Sequence, residues 1–418
     1  MKQGFHVAWK IIFFALIASL GGFLFGFHTS VISGALLFLR GDFNLGILDQ
    51  ELIVSTLLIG ALFGALFGGP FADRFGRKRS LVLTTLLFLV GTVVLVEATD
   101  VTALLAGRLI TGLGIGIASM AVPLYIAEIS PHGRRGSLVS LNQLMITIGI
   151  LVAYWVGYSF SERGEWREMF GFAFFPLVVF GVGLLLVPES PSWKASLPEK
   201  SSEKKIEWRE LFTPAVRRAF WVGIGISVFQ QITGINTVIY YAPQIFQMAG
   251  FQTVETATLA TLWIGIGNVL FTILSLWLID WVGRRPLLLV GLIGMAGSLF
   301  SLAYFFHAGG EIGESAVFAV MAYVAFFAIS LGPVAWLLIS EIYPLRVRGR
   351  AMGVATFVNW SFNYLVSLTF LSLIQKLGAS GTFMLYAIIS LIGLWFVSRF
   401  VPETKGKTFE EIQHFWRK

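Results

Sequence analysis

Twelve long apolar runs constrain this chain more than any other feature of its sequence. Each has the roughly 20 residues that a helix needs to cross the hydrocarbon core of a bilayer. Hydrophobic residues make up 56% of the chain and charged residues only 13%, which is outside the range of soluble globular proteins. The sequence therefore predicts an all-α integral membrane protein with twelve transmembrane helices. The runs cover residues 11–39, 51–71, 80–98, 101–127, 138–160, 168–187, 219–247, 256–279, 286–306, 315–340, 350–375 and 379–401.

The basic residues are distributed unevenly between the two sides of these spans. If the N-terminus is cytoplasmic, 25 of the 30 Lys and Arg residues fall in termini and loops on that side. The others are Arg40, Arg163, Arg167 and Lys376 on the opposite side and Arg108 within a span. This bias predicts a multi-pass protein of the plasma membrane or cell inner membrane with both termini in the cytoplasm. The net charge of +7 then reflects membrane orientation, and no nucleic-acid partner is expected.

The composition also excludes several kinds of chemistry. The chain has no cysteine, and its 5 His residues are scattered without metal-binding spacing. No phosphate-binding GxxxxGK[ST] motif is present. A membrane-embedded enzyme would need a nucleophile or a metal set within the spans, and none is visible. We therefore expect no enzymatic activity, no metal and no cofactor.

Three motifs of the first half recur in the second half, at separations of 207, 213 and 214 residues. Such an internal repeat predicts duplication, and parallel repeats in a membrane predict two bundles with a cavity between them. The expected domains are six-helix bundles at 1–187 and 219–418, joined by a cytoplasmic linker at 188–218. The recurring pairs are Asp73-Arg74-Phe75-Gly76-Arg77 and Asp280-Trp281-Val282-Gly283-Arg284, Glu128 with Arg135 and Glu341 with Arg348, and Pro188-Glu189-Ser190 and Pro402-Glu403-Thr404.

The acids and bases of the repeat all fall at predicted cytoplasmic helix ends, so they are candidates for a gate. We expect ion pairs between Asp73 and Arg77 and between Asp280 and Arg284. Glu128 and Glu341 are expected to join networks with Arg135 and Arg348. Partly desolvated pairs of this kind would hold the cytoplasmic side closed, and their breakage would open it.

The seventh apolar run is interrupted by Gln230-Gln231-Ile232-Thr233-Gly234-Ile235-Asn236, followed by Tyr240. An unpartnered amide in hydrocarbon costs on the order of several kcal/mol, so these side chains must face protein, water or ligand. Gln231, Asn236 and Tyr240 recur at roughly helical spacing, so they can reach one cavity. The stretch is a candidate for half of a binding site. The alternative is that the amides only pin one helix to another.

At this point the chain resembles the sugar porter family of the major facilitator superfamily, over essentially all of its length. The resemblance implies the major facilitator fold with two six-helix bundles, alternating access to the two sides of the membrane and a monosaccharide substrate. We expect the protein to act as a monomer in the lipid bilayer. The matching motifs are Gly69-Pro70-Phe71-Ala72-Asp73-Arg74-Phe75-Gly76-Arg77-Lys78, Gly107-Arg108, Pro123-Leu124-Tyr125-Ile126-Ala127-Glu128, Pro188-Glu189-Ser190-Pro191, Gln230-Gln231 with Gly234-Ile235-Asn236, and Pro402-Glu403-Thr404-Lys405-Gly406.

The resemblance also implies a set of sugar contacts. A carboxamide both donates and accepts hydrogen bonds, as a sugar hydroxyl does, and aromatic rings can cover the C–H face of a sugar. The set contains no charged side chain, which argues for a neutral sugar, and Asn359 with Asn363 favours a hexose such as glucose. For Phe25 and Tyr240, helix packing is an equally good explanation. The implied contacts are Phe25, Gln143, Gln230, Gln231, Asn236, Tyr240, Asn268, Trp336, Asn359, Trp360 and Asn363.

The main departure from the family is His28. Proton-coupled members carry Asp at this position, near an Arg that corresponds to Arg108, whereas facilitative glucose transporters carry Asn. All 23 carboxylates fall in loops or at predicted helix ends, so no buried acid is expected to carry a proton. The sequence thus favours a uniporter with a neutral His28. Alternatives are a proton symporter that uses His28 itself, which would make protons a further partner, and a sugar sensor that does not transport.

Overall fold

The computed structural model describes residues 2–131, 135–196, 208–214, 216–309, 312–344, 346–407 and 409–417. Within these ranges the chain is helical and contains no β-strand. Eleven helical segments are long and apolar enough to cross a membrane. One of them, Arg348–Phe400, has 53 residues and a break at Gly378, where φ is 71°, so it accounts for two predicted spans. The predicted all-α membrane fold is therefore confirmed.

The chain divides into two compact units, Met1–Glu203 and Lys204–Lys418. Helices α6 and α7 of the first unit together form one candidate span, Trp166–Leu186. The helices of the first unit are α1 (Lys2–Asp42), α2 (Ile47–Phe75), α3 (Arg77–Val96), α4 (Val101–Ile129), α5 (Arg135–Ser159), α6 (Trp166–Gly171), α7 (Phe174–Leu186) and α8 (Pro191–Ser196).

The second unit begins with a short 3₁₀ helix, Trp208–Phe212. Two of its spans are interrupted, one between α9 and α10 and the other between α13 and α14. Its α-helices are α9 (Arg217–Ile232), α10 (Ile235–Met248), α11 (Val254–Val282), α12 (Arg284–Ala308), α13 (Gly313–Ile329), α14 (Leu331–Ile342), α15 (Arg348–Phe400) and α16 (Phe409–Arg417).

Glycines bring α2 and α4 into direct backbone contact in the first unit. A Cβ atom on Gly60 would collide with the Leu109 carbonyl, and one on Gly112 would collide with the Leu57 carbonyl. Small residues at a helix interface allow this close approach within a membrane protein. As a result, a long side chain on α4 can reach backbone carbonyls of α2.

Helices α1 and α5 approach each other in the same way. Gly26 faces the Ile146 carbonyl, and Gly22 faces Asn142. This packing brings Phe25 of α1 and Gln143 of α5 to similar positions along the two helices.

The predicted linker, 188–218, is described only at its two ends, by α8 and by the 3₁₀ helix. Residues 197–207, which include its basic centre, lie outside the described residues.

Candidate functional site

Four carboxamides of the second unit form a continuous chain of hydrogen bonds. Asn236 Nδ2 donates to Gln231 Oε1 at 2.6 Å, and Gln231 Nε2 donates to Asn359 Oδ1 at 3.0 Å. Asn359 Nδ2 in turn donates to Gln230 Oε1 at 2.7 Å. Three of these side chains are buried, and Asn236 is partly exposed. Four amides predicted from sequence as a binding set therefore lie together, and each orients the next.

The chain of amides ends on backbone carbonyls at a helix break. Gln230 Nε2 lies 2.9 Å from the Leu331 carbonyl and 3.2 Å from the Gly332 carbonyl. These residues start α14, directly after Ser330, whose backbone (φ −127°, ψ −99°) is not helical. The interruption between α13 and α14 thus supplies the acceptors that fix Gln230. These carbonyls were not predicted from sequence, because backbone acceptors leave no side-chain signal.

A second break, between α9 and α10, sets the positions of the amides on those helices. Gly234 has φ of 92°, a left-handed conformation that favours glycine. A Cβ atom there would also lie 2.7 Å from the Tyr386 ring. Tyr323 Oη donates to the Thr233 carbonyl at 2.8 Å, which satisfies an acceptor at the end of α9. The polar interruption of the seventh apolar run therefore corresponds to a defined break between two helices, α9 and α10.

Two further predicted contacts extend this cluster along α15. Asn363 Nδ2 lies 3.4 Å from Tyr240 Oη, and Ser367 Oγ lies 3.3 Å from Asn363 Oδ1. Asn359 and Asn363 are four residues apart and therefore share one helix face. Tyr240 and Asn363 are both buried, so the structure joins them to the same polar region.

Three predicted contacts lie outside the hydrogen-bonded cluster described above. Asn268 is 8% exposed on α11, a helix that packs against α10 and α14. Trp360 is 5% exposed beside Asn359, and Trp336 is partly buried on α14. All three belong to the second unit, and their role as sugar contacts stays a prediction.

Phe25 and Gln143 belong to the first unit. Both side chains are partly buried, on the helices α1 and α5 that the glycine contacts hold together. Their role as sugar contacts also stays a prediction.

Arg108 is buried and connects three helices of the first unit. Its Nη1 donates to the His28 carbonyl of α1 at 2.8 Å, its Nε donates to the Ile53 carbonyl at 3.0 Å, and its Nη2 donates to the Val54 carbonyl at 3.3 Å. Arg108 and His28 are each 1% exposed. The two predicted coupling residues are thus adjacent, but the guanidinium bonds to the His28 backbone.

The imidazole of His28 lies among aromatic rings. It stacks on Phe88 with ring centroids 4.9 Å apart, and it meets Phe27 edge-on at 5.9 Å. Within the described part of the chain, its Nε2 has no hydrogen-bond partner. An apolar environment of this kind suits a neutral imidazole.

The expectation that no acid is buried is wrong for one residue. Glu51 of α2 is 1% exposed and is the only buried carboxylate among the described side chains. The apolar run was predicted to start at residue 51, whereas α2 begins at Ile47, about one turn earlier. Glu51 therefore lies inside the helix. The sequence did not indicate this, because the two residues before it, Asp49 and Gln50, are also polar and are typical of a loop.

At the other end of the first unit, Arg77 is the centre of an ion-pair cluster. Its guanidinium donates to Glu128 at 2.8 Å and to Asp73 at 3.0 Å. The Arg77 side chain is 9% exposed and that of Glu128 is 15% exposed, whereas that of Asp73 is 62% exposed. The Arg77–Glu128 pair is therefore the desolvated part of this cluster.

The second unit repeats this cluster with slightly longer contacts. Arg284 lies 3.2 Å from Glu341 and 3.4 Å from Asp280. The Arg284 side chain is 13% exposed and that of Glu341 is 24% exposed. The sequence repeat is thus matched by a structural one.

The sequence grouped Glu128 and Glu341 with Arg135 and Arg348 in charge networks and left the individual pairs open. The two glutamates form their ion pairs with Arg77 and Arg284, the arginines that start α3 and α12. Glu341 also interacts electrostatically with Arg348. Arg135 donates to the Ala127 carbonyl at 3.1 Å, and Arg348 donates to the Tyr343 carbonyl at 3.3 Å. Sequence spacing alone could not show which helix ends meet.

A second carboxylate completes each cluster and had no predicted role. Glu189 Oε1 accepts from the backbone N–H groups of Arg77 and Lys78, at 2.9 and 3.0 Å. Glu403 accepts in the same way at the start of α12, from Arg284 and Arg285 at 3.2 and 3.1 Å. A carboxylate is favoured at a helix N-terminus because unpaired N–H groups and the helix dipole converge there. The recurrence of Pro-Glu-Ser/Thr in both halves was the available signal.

The glycine of each repeated motif makes this capping possible. Gly76 and Gly283 have φ of 103° and 106°, values that side chains rarely adopt. A Cβ atom on Gly76 would also collide with the Glu189 carboxylate, and one on Gly283 would lie 2.8 Å from Glu403 Oε2. Glycine is therefore needed at both positions for the turn and for the approach of the carboxylate.

Comparison with known proteins identifies the family. The family model described as sugar (and other) transporter matches residues 14–197 and 192–416. The chain is 38% identical to the glucose transporter GlcP of Staphylococcus epidermidis, with 96% of each protein covered. It is 35% identical to the galactose-proton symporter of Escherichia coli strain K12, with 99% of this chain and 96% of that protein covered. The inward-open structure of the E. coli xylose transporter XylE matches 97% of this chain and 100% of its own, with a TM-score of 0.84 and 35% identity. This chain therefore belongs to the sugar porter family of the major facilitator superfamily.

Proposed function

We propose that this protein moves a neutral monosaccharide across the membrane by alternating access, and that the sugar is a hexose such as glucose. The observation that carries the proposal is the directed chain of amides in the second unit. These side chains are uncharged and hold one another in fixed orientations, and three of the four are buried. They form a preorganised surface for a polyol.

The hydrogen-bond capacity of these amides suits a sugar. A carboxamide carries two N–H donors and two acceptor lone pairs. Asn236 and Gln231 each donate one N–H to the next amide, so each has a second N–H to offer a hydroxyl. Among the described residues of the second unit, no charged side chain is buried. An anionic sugar phosphate would therefore have no buried counter-charge in this unit.

Two modes of transport are open. The first is uniport with a neutral His28, and the aromatic surroundings of the imidazole support it. The second is proton symport, and two observations favour it. Relatives include a galactose-proton symporter, and the first unit buries the carboxylate of Glu51.

Uptake into proteoliposomes tests the proposed transport of a neutral hexose. We expect glucose or galactose to enter vesicles that contain the protein, and we expect glucose 6-phosphate to stay outside. Empty vesicles are the control for leakage. Binding of hexose without uptake would instead support a sugar sensor, and uptake of the phosphorylated sugar alone would contradict a neutral substrate.

A further inference from the structure

We infer that Glu51 is a proton-binding site, through which protonation of the first unit drives sugar movement. This inference rests on the proposed sugar transport and assigns its driving force. It starts from the exceptional burial of Glu51, the only buried carboxylate in the part of the chain that the structure describes. An ionisable side chain inside a membrane-spanning helix is costly, and such side chains mark functional sites.

The start of α2 is already stabilised by the neighbours of Glu51. Asp49 Oδ2 accepts from the Gly46 N–H at 3.0 Å, and Gln50 Nε2 donates to the Leu45 carbonyl at 3.2 Å. These contacts tie the two neighbouring polar side chains to the loop before the helix. Glu51 differs from both, because Asp49 is partly exposed and Gln50 is uncharged, whereas Glu51 is an acid that is 1% exposed.

Arg108 binds the part of α2 that directly follows Glu51. The carbonyls that it binds, those of Ile53 and Val54, follow Glu51 by two and three residues, which is less than one helical turn. The glycine contacts between α2 and α4 hold the guanidinium in this place. A change of charge at Glu51 therefore alters the electrostatic environment of the turn of α2 that this buried cation binds.

Few other charged or titratable groups face this region. Helices α1, α3 and α4 pack against α2, and their buried charged or titratable side chains near Glu51 are His28 and Arg108. Arg40, Asp42, Glu97 and Asp100 lie at the adjoining helix ends and are exposed. Arg77 is buried, but it belongs to the cluster at the opposite end of α2. That cluster contains Asp73, 22 residues from Glu51, or about 33 Å at about 1.5 Å per residue.

The proton step is a simple transfer. A hydronium ion gives its proton to the Glu51 carboxylate, which forms a carboxylic acid and releases water. The charge on α2 is then lost, and Arg108 is attracted more weakly to this turn of the helix. Arg108 also holds the His28 carbonyl of α1, one turn after Phe25, a predicted sugar contact. Protonation can therefore bias the position of α1, which is the two-state element that coupling requires.

Neutralising variants in proteoliposomes test this role. Glu51→Gln imitates the protonated side chain, and Asp49→Asn is the matched control, two residues earlier on the same helix. With an imposed inward proton gradient, we expect the wild type and Asp49→Asn to accumulate hexose above the outside concentration. Glu51→Gln should only equilibrate hexose, while it retains exchange of labelled for unlabelled hexose without a gradient. Retained exchange would show that the variant is folded and binds sugar.

Three results would overturn the inference. They are accumulation by Glu51→Gln at the wild-type level, wild-type uptake that only equilibrates, and loss of both exchange and accumulation in Glu51→Gln. Equilibration by the wild type would leave the proposed sugar transport intact, whereas the absence of any hexose uptake would refute transport itself.

An infrared measurement tests proton binding independently of transport. Every carboxyl group that titrates between acidic and alkaline pH contributes a carbonyl band to the difference spectrum, exposed Asp and Glu included. The component of a buried carboxylic acid, which is shifted from that of the exposed groups, should be present in the wild type and in Asp49→Asn and missing in Glu51→Gln. Its presence at equal intensity in all three proteins would contradict the assignment.

Discussion

The first and second units bury different chemistry between their helices, although a similar ion-pair cluster ends each of them. Glu51, Arg77 and Arg108 are the buried charged residues of the described chain, and all three lie in the first unit. The second unit buries neutral amides, of which Gln230 and Asn359 are central. Its own cluster, around Arg284, is more exposed than the one around Arg77.

This difference indicates how a duplicated fold can divide two tasks. A buried carboxylate such as that of Glu51 can bind a proton, whereas buried amides offer donors and acceptors that match neutral hydroxyl groups. The repeated end clusters use the same three kinds of contact, an arginine–glutamate pair, an exposed aspartate and a capping glutamate. Duplication has therefore kept the ends similar while the interiors have diverged.

The largest effect is expected from Asn359→Leu, which removes the central amide of the second unit. Gln230 Oε1 and Gln231 Nε2 would both lose a buried partner, at a cost of about 3 kcal/mol in total. The half-saturating hexose concentration should rise roughly 100-fold, as measured by exchange in proteoliposomes. Ser361→Ala, two residues further along α15, is the control, since the Ser361 hydroxyl donates to the Phe357 carbonyl of its own helix. An unchanged half-saturation in Asn359→Leu would refute the proposed site.

A smaller effect is expected when the clusters of the two units are broken. Arg77→Gln leaves Glu128 without its guanidinium in a mostly buried place, and we expect a loss of about 2 kcal/mol in stability. Arg284→Gln should cost only about 1 kcal/mol, because its contacts are longer and more exposed. Thermal unfolding of the purified variants measures both losses. A larger loss for Arg284→Gln would contradict the comparison of the two clusters.

The smallest effect is expected for the exposed aspartates. The side chains of Asp73 and Asp280 are 62% and 83% exposed, and exposed ion pairs contribute about 0.5 kcal/mol or less. Asp73→Asn and Asp280→Asn should therefore unfold within about 0.5 kcal/mol of the wild type. A loss as large as that of Arg77→Gln would mean that the aspartates are the main partners of the arginines.

Much of the fold could be predicted, because membrane spans depend on length and apolar composition, which the sequence displays directly. The helix boundaries could not be predicted as well. The tenth predicted span is two helices that meet at Ser330, and the last two spans continue across Gly378. Breaks of this kind depend on backbone angles and on neighbouring helices, which hydropathy does not report.

The sequence predicted which residues belong to the candidate site, but it did not predict the hydrogen bonds between them. Gln230, Gln231 and Asn359 were identified because buried amides need partners, yet the direction of their hydrogen bonds depends on the helix break at Leu331. Glu51 was missed because a helix end was placed one turn too late. The sequence shows the acid itself, but its burial follows only once α2 is known to start at Ile47.

The division of tasks between the units is tested most directly in one preparation of proteoliposomes. Hexose accumulation under a proton gradient and half-saturation for hexose exchange are measured together for Glu51→Gln and Asn359→Leu. The account predicts that Glu51→Gln abolishes accumulation with little change in half-saturation, and that Asn359→Leu raises half-saturation. Equal changes of both quantities in both variants, or a wild type that never accumulates hexose, would contradict it.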